Sequence, residues 1–201
     1  MKPLIKRNQK WAIIFGNHDD LSSGEGGTRE DLMRFDLSLD GSLSQFGPSD
    51  LPGVSNYYLE ILESQDSSVV KTILWFLDSN DMCEGGPAGF AGCFHPSQVN
   101  WFLQQSQILQ SKHGDLKTAI AFFHIPLPEH LALFNFNATN GWMNESTINC
   151  QTFNSGLFAA FRAINYVKLA TVGHNHGCDF CGDYYGVKLC FGRHSGYGGY
   201  G

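Results

Sequence analysis

The chain has 201 residues, 42% of them hydrophobic and 16% charged, which suits one folded unit over residues 1–201 and excludes disorder over most of its length. Its net charge of −6 comes with no basic run beyond Lys6, Arg7 and Lys10, so the footprint of a nucleic-acid binder is absent. No apolar stretch approaches the roughly 20 residues needed to cross a bilayer, and residues 1–7 lack the apolar core of a signal peptide.

In chain order, Trp11, Ala12, Ile13, Ile14 and Phe15 read as a buried strand running into Gly16, Asn17 and His18. A Gly/Ser-rich loop over 20–27 follows. Thr28, Arg29, Glu30 and Asp31 then form a capping-box pattern opening a helix through Leu32, Phe35 and Leu39, and the charged residues 29–36 read as a solvated helix face. Residues 41–53 read as loop, and 57–62 with 69–77 as a strand pair joined by the polar turn 65–68, which favours a mixed sheet. The Gly-rich loop from Cys83 to Cys93 has two cysteines able to close a small ring. Pro96 and Ser97 open a helix with Val99, Phe102, Leu103, Ser106 and Leu109 on one face and Gly114 as its stop.

A strand over 119–123 runs into His124, after which Pro126 and Pro128 predict an irregular loop with no helix until Ser155 caps Leu157, Phe158 and Phe161. The strand over 166–172 runs into Gly173, His174, Asn175 and His176, and the glycine-punctuated tail around Tyr184 and Val187 predicts short terminal strands. Six cysteines (83, 93, 150, 178, 181 and 190) allow fifteen pairings. With the sequons at Asn137 and Asn144, they point to the secretory route, extracellular or vacuolar/lysosomal.

Three strands thus stop at residues able to bind a metal. Polar groups just past the carboxyl ends of neighbouring strands share one crevice, where α/β sheets place ligands. Asn17, His124, His174 and His176 offer neutral imidazoles and an amide oxygen, the donors a hydrolytic metal site uses. Residues i and i+2 of an extended turn point to opposite sides, so His174 and His176 suit two different ions. Gly16 lets the chain turn sharply and leaves His18 free to face a substrate, where it would donate to charge developing on a transferred phosphoryl group. His95, His113, His130 and His194 read as ordinary polar groups, with His130 and His194 able to line a pocket.

Gly16-Asn17-His18-Asp19, the isolated His124 before Ile125-Pro126, and Gly173-His174-Asn175-His176, with Asp179-Phe180-Cys181-Gly182 behind them, resemble the calcineurin-like metallophosphoesterase superfamily, nearest its purple acid phosphatase-related branch. The resemblance implies an α/β fold, a two-sheet sandwich flanked by helices. It implies hydrolysis of phosphate monoesters by a metal-bound hydroxide, with a metal pair drawn from iron, zinc and manganese. Asn17, His124 and His174 would bind one ion, His176 the other, and His18 would assist the transition state. The family's Asp-x-His and Gly-Asp-x-x-Asp motifs have no counterpart before Gly16, so the chain reads as the carboxyl-terminal portion of such an enzyme, incomplete on its N-terminal side. Two other readings stand beside it: a catalytically inactive fragment or pseudoenzyme of the same fold, and a zinc-stabilised interaction module around Cys178, Cys181 and Cys190. A disulfide between Cys181 and Cys190 is the competing fate of those thiols.

Overall fold

The computed structural model describes residues 2–19, 27–83, 92–114, 116–136 and 139–194. Its helices are α1 (Lys2–Lys6), α2 (Arg29–Leu37), α3 (Pro96–His113), α4 (Pro128–Asn135) and α5 (Leu157–Ile164). Its strands are β1 (Tyr57–Leu62), β2 (Val70–Phe76), β3 (Thr118–Phe122), β4 (Val167–Val172), β5 (Cys181–Tyr184) and β6 (Val187–Phe191). All six join one sheet in the order β1-β2-β3-β4-β6-β5, in which β2, β3, β4 and β6 run parallel and the two edge strands pair antiparallel. The mixed α/β class is therefore as expected, while the second sheet of the expected sandwich is not found among the described residues.

Parallel strands need long crossovers, and here helices supply them: α3 links β2 to β3, and α4 and α5 link β3 to β4. The helical faces meet the sheet through aromatic rings. Trp75 of β2 lies 4.7 Å from Phe102 of α3, and Phe102 lies 5.2 Å from Phe161 of α5, all three rings fully buried. Phe123 and Phe94 extend this core at 5.4 Å. Phe94, Phe102, Phe123 and Phe161 thus belong to one buried apolar cluster, while Phe35, Phe46, Phe136 and Phe153 are exposed.

Four expectations need correction. The first concerns residues 11–15, which are extended but make only one isolated parallel bridge, Trp11 to Ser42, and lie outside the six-stranded sheet. Side chains hold this segment instead: Trp11 Nε1 donates to Asp36 Oδ1 at 2.8 Å, Ile13 N to Ser44 Oγ at 3.1 Å, and Tyr57 OH to Ile13 O at 2.6 Å. An apolar run reports extended, buried chain equally well in both situations.

The second correction is α2, whose Thr28/Asp31 capping box forms as read but whose inward face is Arg29, Met33 and Asp36, with Phe35 left exposed. Buried Arg29 and Asp36 are each paired, which offsets the cost of taking charge from water. Third, Pro128 starts a helix rather than preventing one, because at the first helical position its fixed φ is already helical and its missing N–H is not needed. Fourth, Gly156 in a left-handed conformation, not Ser155, is the N-cap of α5.

Two disulfides form, Cys83–Cys93 and Cys181–Cys190, the second joining directly opposed residues of β5 and β6. This removes two of the three thiols that the zinc module required, and Cys178 is left as a buried free thiol. Disulfides of this kind fit an oxidising compartment. The Asn144 sequon is exposed, whereas Asn137 lies outside the described residues.

Candidate metal centre

Strand register sets the site. Phe76 of β2, Phe122 of β3 and Thr171 of β4 are aligned partners across three parallel strands. Asp78, His124 and Gly173 follow each of these at the same interval, so all three come off the sheet at one level of its carboxyl edge. The ladder continues just beyond it, with Leu77 N donating to Phe122 O at 2.9 Å and Gly173 N to His124 O at 3.2 Å.

Asn17 reaches this edge from the segment outside the sheet. Its Oδ1 lies 2.9 Å from His124 Nε2 and 3.2 Å from His174 Nδ1, contacts that span 107 and 157 residues of sequence. The His124 and His174 rings pack edge to face at 5.2 Å. The three expected ligands of one ion are therefore brought together. His176 and exposed His18 line the same cleft, of about 430 Å³, together with Ile14, Asp19 and Asn149. His176 stacks on His194 at 5.8 Å, but His194 is not among the residues that line the cleft. His130 does not share it: fully buried, it accepts from Leu127 N and packs edge-on to Phe123 and Phe191.

Close backbone approach explains two glycines of the motifs. A Cβ on Gly16 would meet the His124 ring at 3.1 Å, and one on Gly173 would meet His124 Nδ1 at 3.0 Å. The imidazole is thus gripped between two backbones from distant parts of the chain. His174 adopts φ 67°, a left-handed conformation that costs a non-glycine residue about 1–2 kcal/mol and persists only where surroundings fix it.

Both rings of the cluster favour the neutral form. Burial pushes His124 down to about 4, reinforced by His174, His176, His18 and Arg29. Burial also lowers His174, followed by His18 and His176, with Glu145 opposing. A neutral imidazole is the state that can give a lone pair to a metal. The donor separations of 2.9 and 3.2 Å match those of neighbouring ligands held at metal–nitrogen and metal–oxygen bonds of about 2.1 Å. The residues thus fit one cation through three neutral donors. Among the described residues, no group of three or more His, Cys, Asp or Glu side chains is placed to hold a metal, since the third donor here is an amide. Asp19, the carboxylate lining the cleft, accepts from Gly16 N at 2.5 Å and so braces the turn.

Sequence reading missed the residues that aim Asn17. Buried Arg29 donates through Nη2 to Gly16 O and through Nη1 to Asp78 Oδ1, each at 2.9 Å. Asp78, with a fully buried side chain, also accepts from Val54 N at 2.8 Å and Asn80 N at 3.0 Å. The end of β2 thereby fixes the Gly16 turn through one guanidinium. An acidic residue directly after a strand, with an arginine at the first position of a helix, was the only trace of this in the sequence.

No family model matches the chain. It is 36% identical over 99% of its length to "Probable inactive purple acid phosphatase 29" of Arabidopsis thaliana, and 32% identical, again over 99%, to "Probable inactive purple acid phosphatase 14" of the same plant. It covers 54% and 53% of those two proteins, so the chain spans about half the length of the relatives it matches. "Phosphatase DCR2" of Saccharomyces cerevisiae is 31% identical over 89% of the chain and 32% of its own length.

Proposed function

We propose, from the premise that this chain is related over nearly its whole length to proteins named probable inactive purple acid phosphatases and so to that branch of the metallophosphoesterases, that its cleft belongs to a metal-dependent phosphoesterase site. Asn17, His124 and His174 hold one cation, His176 is the ligand turned to a second, and His18 contacts the phosphoryl group. The observation that carries this reading is the meeting of His124 Nε2 and His174 Nδ1 on one amide oxygen, from segments with no local reason to meet.

A cation bound there, of iron, zinc or manganese type, supplies Lewis-acid polarisation of a phosphate oxygen and acidifies water. The chain's own residues do the rest. Asn17 and the two imidazoles keep charge in the cleft without adding negative charge that would repel a phosphate monoester. Exposed His18, on the turn braced by Asp19, donates to the oxygen on which charge develops. Arg29 fixes the turn that carries both Asn17 and His18. The two disulfides and the exposed Asn144 sequon support an extracellular or vacuolar/lysosomal setting.

Calorimetric titration of the chain with zinc and with manganese, followed by aryl phosphate turnover, tests the reading. Asn17→Ala and His174→Ala are each expected to weaken binding by about 10-fold or more. A chain that binds neither cation, or variants that bind as the parent does, would overturn it. A second reading, a non-catalytic relative that retains the cleft, is favoured by the absence of a carboxylate from the three-donor cluster among the described residues. Cation binding without turnover selects an inactive fragment or a pseudoenzyme, the two forms this second reading takes.

A further inference from the structure

The stretch between α4 and α5 carries a carboxylate that reaches into the His174–His176 turn. Glu145 Oε2 accepts from Asn175 Nδ2 at 2.7 Å, and Glu145 Oε1 accepts from Gly177 N at 2.7 Å. Asn175 is itself buried, and its Nδ2 also faces Thr147 O at 3.4 Å. Both ends of the turn's second half are therefore tied to one side chain, while Asn175 N closes the first half onto Gly173 O at 2.8 Å. This is the turn that holds His174 at φ 67° and places both His174 and His176 in the lining of the cleft.

The geometry points to Glu145 as the positioning residue for the two histidines, acting through a polarity match with Asn175. The match is specific. A carboxylate can accept from two N–H groups at once, and residue 175 must then be the amide, not the acid. An aspartate at position 175 would set a second carboxylate against Glu145 and against the Thr147 carbonyl. Asn175 Oδ1 is buried with no hydrogen-bond partner among the described residues, so no donor waits to satisfy the additional charged oxygen. A glutamine at position 145 alone would present its amide donor to one of two donors and lose that bond. Changing both residues reverses the polarity: the new amide at position 145 donates to the new carboxylate at position 175 and still accepts from Gly177 N–H, with the net charge of the pair unchanged.

Glu145→Gln, Asn175→Asp and the double variant test this, with two readouts on each protein: exchange of the Gly177 amide without metal, and zinc affinity by calorimetry. Each single substitution is expected to speed Gly177 exchange about 10-fold or more, and to weaken zinc binding about 10-fold, with the double variant recovering most of both. Urea midpoints identify any single variant that fails to fold, and the double variant then carries the test alone. Single variants that match the parent, or a double variant no better than the poorer single one, would overturn the assignment. If the parent binds neither zinc nor manganese, the phosphoesterase reading falls, yet Gly177 exchange and its rescue still decide the role of Glu145.

Discussion

Replacing Arg29 by methionine keeps most of the side-chain volume and removes the guanidinium that joins α2, the end of β2 and the Gly16 turn. The Arg29 and Asp78 side chains are 7% and 0% exposed, so water cannot take over the lost contacts. Breaking a buried pair from one side costs about 3–5 kcal/mol, because the partner charge is left behind. Asp78 retains Val54 N at 2.8 Å, Asn80 N at 3.0 Å and Ser55 N at 3.3 Å, which places its cost at the low end, about 3 kcal/mol. Losing the donor to Gly16 O adds about 1 kcal/mol, for a total of about 4 kcal/mol. Urea unfolding of the parent, Arg29→Met, Asp78→Asn and the double variant measures this total and the coupling within it. A loss under about 1 kcal/mol for Arg29→Met, or additive single costs, would refute the view that this pair secures the turn.

Acid should unfold the protein partly through His130, which burial holds at about 3 against an ordinary 6.5. Its folded state favours the neutral ring, so the stability is fully present above about pH 6.5 and is lost as pH falls towards 3, at about 1.4 kcal/mol per pH unit. His130→Asn keeps an acceptor for Leu127 N and removes the titration. The parent's stability relative to the variant should therefore shrink by about 2–3 kcal/mol between pH 7 and 4.5, and parallel profiles would exclude the effect. Gly173→Ala would drive a methyl group against His124 Nδ1 at 3.0 Å. It should weaken zinc binding about 10-fold with little change in urea midpoint, and unchanged affinity would show that the ring has room to move.

The fold was legible where period and punctuation coincide. The β1–β2 hairpin, α3 with its Gly114 stop, and the two terminal strands follow from alternation and turn residues. The meeting of His124 and His174 was legible because the parallel strands β3 and β4 put their carboxyl ends side by side, whereas Asn17 joins them from a segment outside the sheet that reads as a strand. Arg29 and Asp36 were not, since a charged residue turns inward only for a partner, and those partners, Asp78 and Trp11, lie 49 and 25 positions away in the sequence. Residues 11–15 show the converse: apolar character reveals that a segment is covered, and says nothing about whether a ladder or side chains do the covering.

That segment sets an upper bound on how tightly the cleft can hold anything. Asn17 is delivered by a stretch clasped to the body through Trp11–Asp36, Tyr57–Ile13 and Arg29–Gly16 rather than by a full ladder. Were it to come away while the sheet stayed whole, those molecules would lack the Asn17 donor. Apparent affinity is the intrinsic affinity multiplied by the docked fraction. Substitutions in the clasp, far from any ligand, would then tune the metal concentration at which the centre fills.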